Sequence, residues 1–244
     1  LILFVFCFAL GIVAVMAGIG GGVLYVPLVA SFFPFHIDFV RATGLLMALS
    51  GALAAGPGLL KRGLTNLRLV LPCALFASLG SLAGAVVGLR MDPRHVQLAL
   101  GLCILAIVAI MLLSRNVEFP RVARSDRLST WLGLRGAYHE ASSGQTVQWR
   151  IHRTPVGLLL FIGVGFLAGM FGLGAGWANL PVLNLVLGVP LKMAVGSSVF
   201  MLSITDTTAA WVYMKSGCWM PVMAIPSIAG LMLGTSIGVK FLSR

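Results

Sequence analysis

The feature that most constrains this chain is a long uncharged run interrupted by a glycine cluster. The first 35 residues contain no Asp, Glu, Lys, Arg or His, and they include Gly18-Ile19-Gly20-Gly21-Gly22, followed by Pro27. A run of this length is typical of a membrane segment, yet glycine and proline are unfavourable inside a helix. Helices that break at bilayer depth do so where the backbone lines a cavity or binds a solute. The run therefore predicts a broken membrane helix with a binding role.

Composition places the whole chain in a membrane. Of the 244 residues, 59% are hydrophobic and only 9% are charged, and the mean hydropathy is +1.03. A soluble domain carries about 25% charged residues. The uncharged runs are continuous rather than alternating, which predicts an all-α polytopic integral membrane protein and not a β-barrel. The net charge of +11 is attributed to loop residues that set topology, so no nucleic-acid partner is expected.

Several kinds of chemistry have no motif in the sequence. The four cysteines lie singly in apolar segments, and no His/Cys set has metal-ligand spacing. The glycine clusters are not in the strand-and-helix context of a dinucleotide fingerprint, and no phosphate-binding loop motif is present. We therefore expect no enzyme activity, no cofactor and no metal.

An internal repeat relates the two halves of the chain. Met16, Gly18, Gly20, Gly22 and Pro27 recur at an offset of 154 as Met170, Gly172, Gly174, Gly176 and Pro181. Gly63, Pro72, Gly80 and Gly84 recur at the same offset as Gly217, Pro226, Gly234 and Gly238, while Ala42 and Gly44 recur at 152 as Ala194 and Gly196. The domains predicted are a first transmembrane repeat (1–113), a cytoplasmic linker (114–154) and a second repeat (155–244) whose last helix is expected to be missing. In the linker, 138–141 and 146–151 are predicted to form a small β-hairpin that joins the halves; a regulatory role is left open.

The length of the first segment decides the orientation of the repeats. As one helix, 35 residues would extend roughly 50 Å, which is too long for a single crossing of a ~30 Å core. A segment that crosses twice, or enters and leaves as a re-entrant hairpin, makes the second half inverted. It also places 13 of the 17 basic residues on one side, against 11 for a single crossing. The positive-inside rule therefore favours inverted halves, with the linker in the cytoplasm.

The glycine clusters predict an anion site made of backbone. A break exposes main-chain N–H groups at the positive end of the next half-helix, so an anion can bind without a basic residue. The alternative is that these small residues allow close helix packing. We expect no Lys or Arg deep inside any span. The predicted substrate-binding residues of the breaks are Gly18, Gly20, Gly21, Gly22, Gly172, Gly174, Ala175 and Gly176, with Pro27 and Pro181 as structural or hinge residues.

Polar residues near the breaks are candidates for further contacts with the anion. They are Thr43, Asn179, Gly196, Ser197 and Ser198, although membrane Ser and Thr hydroxyls also bond their own helix. Asp206 lies within an uncharged segment beside Thr205, and a carboxyl at that depth points to a function. Asp206, with Thr205 as a second coupling candidate, either carries a coupling proton or orders the neighbouring threonines. The alternative is a side chain that snorkels, or stays protonated and hydrogen-bonded, with no role in transport.

These motifs resemble those of the sulfite exporter TauE/SafE family. The resemblance rests on the doubled glycine clusters with their prolines, on Gly188-Val189-Pro190, and on Ala194-Val195-Gly196-Ser197-Ser198. The linker stretch Leu134-Arg135-Gly136-Ala137-Tyr138 is also similar to that family's central loop. The resemblance implies a bacterial inner-membrane permease that exports sulfur-containing anions or organosulfonates. The first half departs from the family's pattern at Phe33-Pro34-Phe35 and Thr43-Gly44-Leu45. Its loop is therefore expected to bind the anion more weakly than the loop of the second half.

The combined prediction is a permease that binds a small anion between the two breaks and is embedded in the lipid bilayer, with a homodimer left open. Two other functions stay open. A membrane scaffold or assembly factor would need no polar interior, and a passive anion channel would need no coupling through Asp206.

Overall fold

The computed structural model describes residues 2–16, 21–61, 63–113, 120, 125–140 and 145–242. The first half contains α1 (Ile2–Met16), α2 (Gly21–Phe32), α3 (Ile37–Lys61), α4 (Leu67–Arg90) and α5 (Pro93–Leu113). The linker contains α6 (Arg127–Trp131), β1 (Arg135–Glu140) and β2 (Gln145–Arg150). The second half contains α7 (Thr154–Phe171), α8 (Gly176–Pro181), a π-helical segment (Val182–Val186), α9 (Leu191–Lys215) and α10 (Pro221–Leu242).

The helices confirm the prediction of an all-α polytopic membrane protein with a small β-hairpin. In the described part of the chain, α3, α4 and α7 are long and apolar enough to cross a membrane, and shorter apolar helices lie within α1, α2, α5 and α10. The α4 side chains Leu71, Leu75 and Leu79 are more than half exposed, as expected for a helix surface in contact with lipid.

Helices α4 and α7 run parallel and touch along glycines. An ideal Cβ at Gly80 would overlap the carbonyl oxygen of Ile162, and one at Gly84 would overlap that of Phe166. Four residues further along α4, the contact lies four residues further along α7, so the two helices run in the same direction. Small residues let the two backbones approach this closely, which is how membrane helices gain packing energy.

Helices α1 and α10 repeat this contact. Ideal Cβ atoms at Gly230 and Gly234 would overlap the carbonyl oxygens of Phe4 and Phe8. Phe8 corresponds to Ile162 and Gly80 corresponds to Gly234, each at the repeat offset of 154. The packing therefore follows the same offset as the sequence repeat.

Helices α3 and α9 run in opposite directions through the centre of the bundle. Near the start of α3, the Arg41 guanidinium lies 5.4 Å from the centre of the Tyr213 ring, near the end of α9. Beyond the end of α3, an ideal Cβ at Gly196, near the start of α9, would overlap the Leu64 carbonyl oxygen. Since α3 and α9 are counterparts in the repeat, the halves are inverted, as predicted.

The second broken segment begins and ends on the same side of the bundle. The His152 N–H, just before α7, donates to the carbonyl oxygen of Leu187, just after the π-helical segment, at 3.2 Å. In the first half, the rings of Phe6 on α1 and Phe33 after α2 lie 5.8 Å apart. Both first segments are therefore hairpins, as predicted, and they open on opposite sides. We call the side that bears β1 and β2 the β side and the other the far side.

The β-hairpin packs on the start of α4. Its strands pair antiparallel, from Arg135 opposite Arg150 to Glu140 opposite Gln145. An ideal Cβ at Gly136 would lie 3.1 Å from Nδ2 of Asn66, the N-cap residue of α4. The predicted strands are displaced from the observed ones by one to three residues. That the β side faces the cytoplasm stays a prediction, as do the domain boundaries.

Candidate functional site

The break in the second half is an open turn between two helices. Helix α7 ends at Phe171, and Gly172 caps it with φ 71°, donating its N–H to the Ala168 carbonyl at 2.9 Å. Gly174 follows with φ 72°, and α8 begins at Gly176. Positive φ strains residues that carry a Cβ, so both positions require glycine.

The turn leaves a run of unpaired main-chain amides. No hydrogen bond to any described residue is made by the N–H groups of residues 173–177, and the first N–H that bonds again is that of Ala178, to the Ala175 carbonyl at 3.2 Å. Ala175 itself is fully buried. Buried amides without partners are costly and normally find one, so this run is a donor set prepared for an acceptor.

The first half contacts the second break through α2 and α3. An ideal Cβ at Gly22, in the first turn of α2, would lie 2.9 Å from the carbonyl oxygens of both Gly44 and Leu173. One at Gly44 would lie 2.6 Å from the Gly172 carbonyl oxygen. Gly22 and Gly44 of the first half are thus within van der Waals contact of the second break. Gly21 packs on the Leu231 side chain, and Gly18 and Gly20 lie outside the described residues.

Asp206 lies directly beside the second break. Its side chain is fully buried, and neither carboxyl oxygen has a hydrogen-bond partner among the described residues. An ideal Cβ at Gly174 would lie 3.1 Å from Asp206 Oδ2 and 3.0 Å from the Cβ of Ala48 on α3. The carboxyl group therefore occupies the point where α3, α9 and the turn come together.

The neighbouring threonines do not form hydrogen bonds with Asp206, so the prediction that Asp206 orders them is excluded. Thr205 donates its hydroxyl to the Met201 carbonyl, Thr207 to Ser203 and Thr208 to Thr205, all within α9. These are the local bonds that membrane helices commonly satisfy first. Thr205 also accepts, through its carbonyl, a bond of 3.2 Å from the Ser81 hydroxyl.

Further unpaired polar groups lie toward the β side of Asp206. Asn179 on α8 is fully buried, and neither its Oδ1 nor its Nδ2 has a partner in the described part of the chain. Ser197 and Ser198 on α9 are buried too, and the Ser197 hydroxyl is unpaired among described residues. At 1.5 Å per residue, Ser198 lies about 12 Å from Asp206 along α9. The polar groups thus form a row along α9 rather than one tight cluster.

The antiparallel course of α8 and α9 places Asn179 in this row. An ideal Cβ at Gly176 would lie 3.3 Å from the Leu202 side chain. One turn further along α8 comes Asn179, and one turn back along α9 comes Ser198, so these two residues lie at the same level.

Two predicted site residues have other structural roles. The Thr43 hydroxyl donates to the Phe39 carbonyl at 2.8 Å, so its proton is engaged within α3. Gly196 allows the close approach of α9 to Leu64, on the β side.

The two predicted hinge prolines lie within helices. Pro27 lies inside α2, and Pro181 ends α8 where the helix widens into the π-helical segment. Proline cannot donate to the preceding turn, and π-helical turns are frequent at functional sites.

Arg41, placed at a loop by the sequence, is a buried residue of α3. It lies in the second turn of α3 with 1% of its surface exposed, and it pairs with Asp38. Its Nη1 donates to the Met170 carbonyl at 2.8 Å and its Nη2 to the Gly88 carbonyl at 3.2 Å. The Tyr213 hydroxyl donates to the Gly169 and Met170 carbonyls at 3.0 and 3.2 Å.

Arg41 and Tyr213 therefore cap the carboxyl end of α7, just before the second break. A cation at this end of a helix is favourable, and the bonds satisfy carbonyls that have no partner within the helix. Sequence reasoning placed Arg41 at a loop; the available signal was its spacing of three residues from Asp38, which favours an ion pair on one helix face.

The outer surface of the second break borders an apolar groove of about 620 Å³ between α7 and α8. Its lining includes Gly163, Trp177 and Pro181. The break is therefore polar toward α9 and apolar on its outer surface.

Inverted broken hairpins with unpaired polar groups at their meeting point define a membrane transporter, and the comparisons with known proteins agree. The family described as Sulfite exporter TauE/SafE matches residues 3–244. The chain is also similar to "Probable membrane transporter protein YunE" of Bacillus subtilis (strain 168), with 23% identity over 235 residues that cover 93% of this chain and 83% of the relative. No solved structure matches.

The chain belongs to the sulfite exporter TauE/SafE family, and it is a multi-pass membrane transporter.

Proposed function

We propose that this transporter exports small sulfur-containing anions, of the sulfite or organosulfonate type, across a bacterial inner membrane. The observation that carries the proposal is the run of unpaired amides at residues 173–177 beside Asp206. A sulfite or sulfonate group presents several acceptor oxygens, and consecutive main-chain N–H groups are suited to bind them. The sulfur chemistry and the outward direction rest on the family's description.

The site binds an anion without a cation at its centre. Arg41 is the basic side chain that the structure places close to the break, but its guanidinium is engaged by Asp38, Met170 and Gly88. Neutral donors hold an anion less strongly in low dielectric than a fixed charge would, so the anion can leave. Asn179 supplies a side-chain amide one turn along α8, and Ser197 and Ser198 continue the row toward the β side.

Asp206 couples the anion to a proton in this mechanism. Its Oδ2 lies beside Gly174, so an ionised carboxylate and a bound anion would repel each other in a buried site. A proton on the carboxyl group removes this repulsion and supplies a further donor. The anion therefore enters together with a proton, and both leave together.

The test is the flux of labelled sulfite and of a two-carbon sulfonate in proteoliposomes, with matched pairs of variants. Ala175→Leu fills the turn, whereas Gly163→Leu places a leucine side chain on the exposed surface of α7, where an added Cβ meets nothing within 4 Å. We expect Ala175→Leu to lower the flux of both anions at least tenfold and Gly163→Leu to leave it within twofold. Flux that is unchanged in Ala175→Leu would remove the turn from the mechanism.

A second pair separates binding from folding. Asn179 has no hydrogen-bond partner among the described residues, whereas Asn184 donates its Nδ2 to the Val189 carbonyl at 2.9 Å. Asn179→Leu should abolish flux without lowering the melting temperature, and Asn184→Leu should lower stability by about 1–3 kcal/mol because it leaves a buried carbonyl unpaired. The reverse pattern would assign Asn179 a structural role.

A passive channel and a membrane scaffold are distinguished in the same experiments. Flux that ignores an imposed proton gradient would indicate a channel, and absence of flux for every anion would indicate a scaffold.

A further inference from the structure

A pocket of about 470 Å³ lies on the β side, and its lining includes none of residues 173–177 and none of Asn179, Ser197, Ser198 and Asp206. It is formed where the β-hairpin packs on the start of α4. Its lining residues are Arg68, Gly133, Arg135, Gly136, Ala137, Gln148, Trp149 and Arg150. Three of these carry a guanidinium group and none is acidic.

Two of the arginines face each other across the hairpin. Arg135 and Arg150 are directly opposed in the strand register. Like charges in that position destabilise a strand pair, and no ion pair with either of them is formed by the described residues. An anion between them would remove this repulsion. The acid Asp126, in the same linker, accepts a bond of 2.9 Å from the Thr154 hydroxyl and does not line the pocket.

The pocket wall supplies one further donor group. The Nη1 atom of Arg68 lies 3.9 Å from an ideal Cβ at Gly133, so this third guanidinium borders the same wall. Trp149 is 4% exposed, and its indole Nε1 has no hydrogen-bond partner among the described residues. The ring packs against Gly136, whose ideal Cβ would lie 3.0 Å from the indole Cζ2, so Trp149 closes the pocket rather than supplying a donor to it.

We propose that this pocket binds a tetrahedral oxyanion, the phosphate or sulfonate group of a molecule that reaches the β side of the membrane. Arginine forks bind such groups through paired N–H donors, and the arrangement has two opposed forks and a third at the wall. The source is either a free anion in solution or the headgroup of an anionic lipid, since Leu67, next to Arg68, is 41% exposed at the end of a membrane helix.

The test uses the full chain in nanodiscs. Binding of labelled pyrophosphate is measured in discs of phosphatidylcholine alone, and lipid retention is measured by native mass spectrometry in discs with added phosphatidylglycerol. Wild type should bind one pyrophosphate per chain, retain phosphatidylglycerol, or both, and the two readings identify the source. Binding should weaken as salt is raised.

Variants decide whether the pocket is responsible. Arg135→Gln with Arg150→Gln should weaken the observed binding at least tenfold. The control is Arg127→Gln with Lys61→Gln, which removes two positive charges from the same side outside the pocket and should change binding less than twofold. No saturable binding of either probe by wild type would overturn the proposal, as would equal weakening in the two double variants. Sulfite flux, measured in parallel, should be the same in all of them.

Discussion

At the residue scale, three buried polar side chains near the second break lack a hydrogen-bond partner among the described residues, and all of them lie in the second half: Asn179, Ser197 and Asp206. Asn179 corresponds to Tyr25 at the offset of 154, and Asp206 corresponds to Ala54 at the offset of 152 that relates α3 to α9. The sequence could identify Asn179 and Asp206 because polar side chains at membrane depth are conspicuous. Arg41 could not be identified in this way, because its burial depends on α4, α7 and α9 closing around it.

Replacing Asp206 should uncouple anion transport from the proton gradient. Asp206→Asn keeps the shape and removes the group that carries charge, so flux should continue but lose its response to a proton gradient. For one coupled proton, a gradient of one pH unit corresponds to about 1.4 kcal/mol, or roughly tenfold. The measurement is sulfite flux in proteoliposomes at several gradients, with Asp92→Asn, an exposed carboxyl on the far side, as the control. A variant with the wild-type response would exclude Asp206 as the coupling group.

Replacing Arg41 should destabilise the protein. Arg41→Gln removes a buried cation that pairs with Asp38 and caps α7, which should cost about 3 kcal/mol of unfolding free energy. Arg94→Gln, at an exposed position on the far side, should cost little. Unfolding of both variants in denaturant would be compared with wild type. Equal stability of the two would show that the α7 cap contributes nothing.

At the element scale, glycine has two separate functions in this fold. Along α4 and α7 it allows the helices to touch, and at 172 and 174 it permits the turn that exposes the amides. The sequence predicted the second break because two glycines, an alanine and a third glycine lie close together before Pro181. It did not predict the π-helical segment, because a wider turn of this kind has no residue signature and depends on packing around the proline.

A pair of glycines on α7 tests the packing function. An ideal Cβ at Gly165 would overlap the Ala77 carbonyl oxygen, whereas one at Gly163 meets nothing within 4 Å. Gly165→Ala should therefore cost about 1–3 kcal/mol through overpacking, and Gly163→Ala should be neutral or stabilise by up to ~1 kcal/mol through helix propensity. Thermal unfolding in detergent measures both. A Gly165→Ala variant as stable as wild type would mean that α4 and α7 do not pack as closely as the contact between Gly165 and Ala77 requires.

At the scale of the whole molecule, the two halves are inverted, and their first hairpins open on opposite sides. This arrangement was predicted from the length of the first uncharged run and from the distribution of basic residues. It could not give the contacts that hold the halves together, because the pairing of α4 with α7 and of α1 with α10 joins segments far apart in the chain.

The sidedness predicted by charge can be measured in cells. Trp131, on the β side, and Ser216, on the far side, are both exposed. With the native cysteines replaced by serine, Ser216→Cys should react with an impermeant maleimide added outside intact cells, and Trp131→Cys should react only after lysis. Labelling of Trp131→Cys in intact cells would place the linker outside and reverse the assignment.

The claim on which the mechanism depends is that backbone amides of the second break hold the anion. It can be tested by determining the structure with selenite, a close analogue of sulfite, and locating selenium by its anomalous scattering. The expected result is a selenium peak whose oxygens lie within hydrogen-bond distance of the N–H groups of residues 173–177, close to Asp206. A peak at Arg41, or density confined to the β-side pocket while this turn stays empty, would contradict it.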